Sequence, residues 1–111
     1  MKLVVSDRAK LDITQALLWS IENFGEEAMA RYKALIAQAL SEIEESPNLQ
    51  GSRSFEDNIL LYHLRFSKKR AIVNRQYVKK PRHFVVYRTE SECVEILRVL
   101  HDNMDIPDQL E

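Results

Sequence analysis

The chain is poor in the residues that break or staple a fold. Its 111 residues include two glycines, three prolines and one cysteine. A lone Cys93 cannot close an internal disulfide, which suits a reducing cytosol. It opens an apolar run, where a small buried hydrophobe is expected rather than a reactive thiol. Gly25 and Gly51 alone cannot build a glycine-rich phosphate loop. His63, His83 and His101 have no zinc-like spacing with a cysteine, so neither a metal nor a cofactor is expected. No serine-nucleophile motif occurs. The opening MKLVVSDRAK is too short in apolar residues for a signal peptide, and no run approaches the length that spans a bilayer. A cytoplasmic protein without membrane contact is expected.

Apolar residues make up 45% of the chain, enough for one compact domain over 1–111 but not for two. The net charge of −1 hides a strong segregation. Residues 58–89 hold nine Lys/Arg and no acid, whereas 1–57 hold ten acids against six Lys/Arg. Residues 90–111 hold seven acids and one arginine. Such a block reads as a basic surface aimed at an anionic partner, either nucleic acid or an acidic protein segment. The plainer alternative is a solvated strand face followed by a basic loop.

Lys2–Val5 is a short strand candidate, and Ser6 or Asp7 can cap the helix that follows. Ala9, Ile13, Leu17 and Ile21 recur every four residues, with Ala16 and Leu18 beside them, and predict an amphipathic helix to about Asn23. Gly25 breaks it. A second helix carries Ala28, Tyr32, Leu35, Ile36, Ala39, Leu40 and Ile43 on one face and stops before Pro47. The short connection predicts an antiparallel helix hairpin, with Trp19 and Phe24 packing in or beside it. Residues 48–57 read as a loop, and 59–66 alternate as a half-buried strand with His63 and Arg65 on its polar face. Within 67–81, residues 71–77 are a candidate added strand between the loop-like SKKR and KKPR. Residues 83–88 and 93–100 are apolar runs around a polar break, as expected of strands buried on both faces.

The wording of 82–107, RHFVVYRTESECVEILRVLHDNMDIP, is specific. VVYR, a short polar turn, VEILRVLH and MDIP resemble the C-terminal half of ParE toxins, within the RelE/ParE toxin–antitoxin superfamily. KLVVSDRAKLDI resembles a ParE opening, so the resemblance covers nearly the whole chain. It implies a two-layer α+β fold: an N-terminal strand, an α-helical hairpin, then a three-stranded antiparallel sheet that completes the sheet. The chain departs from the family at 67–81, where a tight turn is usual and the connection is longer by on the order of ten residues.

The resemblance implies a toxin that inhibits DNA gyrase by direct binding and acts without catalysis. It also implies a hetero-oligomer with a cognate, ParD-like antitoxin whose C-terminal segment folds onto the toxin. Sequence-specific nucleic-acid binding is not expected. Antitoxin or target contacts are expected at Arg65, Lys68, Lys69, Arg70, Arg82, Arg88, Arg98 and His101. Superfamily relatives of the RelE kind instead cleave mRNA on the ribosome. Under that alternative Arg65 and Arg82 would clamp phosphate and His101 or Tyr87 would move protons. Lys68, Lys69 and Arg70 would grip the message. The acidic tail, with Asp102, Asp105 and Asp108, would repel phosphate and counts against it. A non-toxic binding module on the same scaffold is the third reading, since function resides in the site and not the fold.

Overall fold

The computed structural model describes residues 2–104; the tail positions Asp105 and Asp108 lie outside them. Strand β1 (Lys2–Val5) leads into helix α1 (Asp7–Phe24). Between them, Ser6 Oγ accepts the Ala9 N–H at 3.0 Å and fills a donor that the helix start leaves unpaired. The same hydroxyl donates to the Leu97 carbonyl at 2.9 Å, tying the helix start to the last strand.

Gly25 alone separates α1 from α2 (Glu26–Glu45). Its N–H closes α1 on the Ile21 carbonyl, and its own carbonyl accepts from Met29 to open α2. A φ of 92° with ψ 178° makes this reversal comfortable only for glycine. Helix α2 buries Tyr32, Leu35, Ile36, Ala39 and Ile43, as its periodicity predicts. Helix α1 is rotated from its predicted stripe. It buries the small residues Ala9, Asp12, Ala16 and Ser20, and Leu18 is left 52% exposed.

The remaining strands are β2 (Arg53–Glu56), β3 (Ile59–His63), β4 (His83–Glu90) and β5 (Cys93–His101). The five form one sheet in the order β1-β5-β4-β3-β2, with β1 parallel to β5 and the other pairs antiparallel. The β4–β5 runs are buried on both faces, as expected. Val85, Tyr87, Val94, Ile96 and Val99 join the core shared with the helices. Val86 and Leu100 meet Leu61 in a second cluster, flanked by Phe55, Ile59, Phe84 and Leu97. Cys93, expected to be buried, is only partly so.

Three segments differ from expectation. Residues 48–57 include the short edge strand β2, so the sheet has one strand more than predicted. The strand predicted over 59–66 ends at His63 because His63 Nδ1 accepts the Arg65 N–H at 3.0 Å and starts a 3₁₀ turn, Leu64–Phe66. Residues 71–77 form no strand. A second 3₁₀ turn, Lys68–Arg70, is followed by a tight reversal in which Val73 and Gln76 exchange backbone bonds of 2.8 and 3.0 Å. Asn74 and Arg75 at its centre take φ of 51° and 64°, the mirror-image turn favoured in two-residue hairpin loops.

The connection is nevertheless well anchored. Glu42 of α2 accepts from Ser67 Oγ at 2.6 Å and from Arg70 at 2.5 and 2.9 Å. Tyr62 Oη lies 2.7 Å from Ser67 Oγ. Ser67 is fully buried, Ala71 enters the core and Val78 packs against it. The long connection thus supplies packing to α2 where a tight turn would supply none.

Candidate functional site

All three histidines gather at one end of the sheet, an adjacency that strand register creates and sequence spacing conceals. His83 and His101 are ladder partners with ring centroids 5.2 Å apart, and His63 pairs with Phe84, next to His83. Trp19 closes the cluster from α1, edge-on to both His83 and His101 at 6.0 Å. Phe24 stacks its edge on Trp19 but is itself 66% exposed.

Hydrogen bonds assign the protons. Tyr32 Oη accepts the Arg82 N–H at 3.1 Å and lies 2.5 Å from His83 Nδ1. Burial, with the neighbouring His101 adding to it, pushes His83 down to about 4, and burial pushes Tyr32 up to about 12. Both are therefore neutral at physiological pH. His63 uses Nδ1 as the acceptor for Arg65, which leaves Nε2–H to donate to Asp102 Oδ2 at 3.0 Å. Burial draws the His63 pKa down, against the pull of Asp102. Arg82 completes the group by donating to Asp102 Oδ1 at 3.1 Å. Burial alone would raise the Asp102 pKa, but the bonds from His63 and Arg82 outweigh it and hold the carboxylate below its usual range. His101 Nδ1 accepts the Asn103 N–H at 3.2 Å. The network clasps the chain where β5 ends, joining β3, β4, β5 and α2. Among the described residues no group of His, Cys, Asp and Glu is placed to hold a metal ion.

Tyr87, a candidate proton carrier, lies elsewhere. It is fully buried, its hydroxyl donates to the Pro47 carbonyl at 2.5 Å, and burial raises its pKa. His101 pairs with His83, four residues along β4 from Tyr87 and so roughly 13 Å away. The structure does not bring these two together.

The seven Lys/Arg expected to contact partners divide by what holds them. Arg70 is taken by Glu42, Arg82 by Asp102, and Arg88 by Glu95 at 2.5 Å and Glu90 at 3.4 Å. Arg98 forks onto Asp12 at 2.7 and 3.0 Å. Asp12 also accepts the Val99 N–H at 2.9 Å. Beyond Ile96, where β1 ends, this α1 carboxylate does for the edge of β5 what a strand would do. The sequence carries no local sign of it, because Asp12 and Val99 are 87 residues apart. Arg65, Lys68 and Lys69 reach no carboxylate among the described residues. Arg65 lies over the Phe66 ring at 4.7 Å, and Lys68 Nζ donates to the Lys79 carbonyl at 3.0 Å.

The rotation of α1 leaves an apolar outer surface. Leu11 is 55% and Leu18 52% exposed, seven residues apart and therefore on one face. A stripe of this kind fits an amphipathic helix from a partner.

Comparison with known proteins matches this architecture. The family model described as ParE toxin of type II toxin-antitoxin system, parDE, matches residues 3–106. No match is found among curated protein sequences. Among solved structures, the chromosomal ParDE TA system from P. aeruginosa aligns with a TM-score of 0.67 at 15% identity. The alignment covers 91% of this chain and 95% of that one. At that identity the likeness is one of fold.

Proposed function

Because this chain belongs to the ParE toxin family of type II toxin–antitoxin systems, we propose that it arrests growth by binding DNA gyrase and that a ParD-like antitoxin neutralises it. The family match over residues 3–106 carries the reading. Of the two candidate proton carriers, Tyr87 is sealed on Pro47 and lies four residues along β4 from the partner of His101, so the two do not form an acid–base pair. The exposed face of α1 that carries Leu11 and Leu18 is the seat for an antitoxin helix, with an extended stretch of the same segment against the sheet. Arg65 and the clasp around Asp102 and His101 are the surface offered to gyrase. No helix among the described residues is long and apolar enough to cross a membrane, and action in the cytoplasm follows from the target.

The test is a cleavage assay with purified protein, gyrase, supercoiled plasmid and ATP. Accumulation of linear, protein-linked plasmid is expected, and added antitoxin should abolish it. Absence of cleaved DNA, together with new mRNA 5′ ends when the protein meets translating ribosomes, would replace this reading with an endonuclease. Growth unaffected by induced expression would leave a binding module only.

A further inference from the structure

We propose that residues 67–81 carry a second binding surface, a lysine cluster of Lys68, Lys69, Lys79 and Lys80 that takes the phosphate backbone of duplex DNA without reading its sequence. In the chain these residues belong to two separate basic stretches, SKKR and KKPR. The fold stitches the stretches together, since Lys68 Nζ donates to the Lys79 carbonyl at 3.0 Å. The arginine closing each stretch is neutralised, Arg70 by Glu42 and Arg82 by Asp102. The four lysines are not: among the described residues none reaches a carboxylate.

Gathering like charges without counterions works against folding. Here the arrangement is held by a buried anchor, Ser67 and Ala71 beneath it and Glu42 behind, while Lys69, Lys79 and Lys80 stand exposed. A locally unfavourable feature that the fold takes trouble to hold marks a surface in use. The composition indicates the polyanion. An acidic peptide needs apolar anchors to seat it, and this stretch exposes one large apolar side chain, Ile72. The apolar stripe lies on α1, whereas the connection is anchored on α2. Lysines are compact point charges that meet phosphates singly, and duplex DNA supplies phosphates at regular spacing in any sequence. Glu26 and Glu27 border the cavity lined by Val73, Asn74 and Gln76, so Arg75 at that turn is left out of the cluster.

The inference is independent of the gyrase proposal, and its assay contains no gyrase, so either can fail alone. A fluorescein-labelled duplex of mixed sequence is titrated with the purified chain and followed by anisotropy across a salt series. Four phosphate contacts give a log–log salt slope of about −3.6, a loss on the order of 100-fold between 50 and 200 mM salt. The variant K68Q/K69Q/K79Q/K80Q should flatten that slope, with its unfolding midpoint confirming that the fold survives. R8Q/K10Q on α1 should bind as the parent does. Undetectable binding at 50 mM salt, or a quadruple variant that binds like the parent, overturns the proposal. A poly-glutamate peptide that binds more tightly than the duplex also overturns it and assigns the cluster to an acidic protein.

Discussion

The β4–β5 hairpin and the connection between β3 and β4 solve opposite problems with charge. In the hairpin each arginine is answered by a carboxylate, Arg88 by Glu95 and the half-buried Arg98 by Asp12. Each cation there completes a structure. In the connection one carboxylate, Glu42, holds the backbone in place, and most of the cations are left facing water. The difference separates charge that builds the fold from charge displayed by it, though both lie within the acid-free stretch of the chain or at its border.

The largest effect expected from breaking this division is at Asp12. Asp12→Ala removes the carboxylate onto which Arg98 forks in a largely buried site and leaves the Val99 N–H without that acceptor. Equilibrium denaturation should show a loss of about 3–5 kcal/mol. Asp12→Asn keeps an acceptor for Val99 and should lose less. Equal losses would mean that the ion pair adds nothing beyond the edge bond.

Next in size is the pH dependence set by His83. Its folded pKa of about 4 lies below the ordinary 6.5. Between those values the unfolded chain binds a proton that the folded one refuses, so stability falls as pH drops through that window. The shift corresponds to roughly 3 kcal/mol. His83→Gln should flatten most of the stability profile between pH 6.5 and 4, and an unchanged slope would place the acid sensitivity elsewhere.

A smaller and more local effect is expected at Glu42. Its bonds from Arg70, ahead of those from Ser67 and Gln38, hold its pKa at about 2 against the opposing effect of burial. The contribution is therefore present above pH 4.5 and lost as pH falls towards 2. Glu42→Gln should cost about 1–3 kcal/mol. Amide exchange should speed up over residues 67–78 while β4 and β5 keep their protection. Uniform acceleration would show that connection and hairpin unfold as one unit. The smallest effect belongs to Arg75, which holds φ of 64° at the turn. Arg75→Gly should stabilise by no more than about 1 kcal/mol in the same denaturation experiment.

What could be read from the sequence follows the range of the forces involved. The helix hairpin was legible because Gly25 and a four-residue rhythm are local. The β4–β5 runs were legible because strands buried on both faces leave a continuous apolar signature. Strand β2 was not, since RSFE is short, mostly polar and lies on an open edge where only Phe55 is partly buried. The strand ending at His63 reads too long in the sequence because LYHLRF keeps alternating while its backbone turns away. The histidine cluster and the Asp12 edge cap depend on register and on side chains far apart in sequence. No spacing rule reaches them. The basic block was plain from its charge count, but which cations stay unneutralised depends on where Glu42, Asp102 and Glu95 land.

The parallel pairing of β1 with β5 bears on time. Lys2–Val5 finds its partner in Cys93–Ile96, and the Ser6 hydroxyl waits for the Leu97 carbonyl 91 positions later. At the usual pace of protein synthesis the first strand is therefore without its partner for roughly 5–20 s after it is made. The helix hairpin can form early from neighbouring residues, but the sheet that positions the histidine clasp closes only when the last strand emerges. A ribosome partway through the message carries a chain whose sheet does not yet exist, which leaves an interval in which an antitoxin already present can meet each new molecule as it completes.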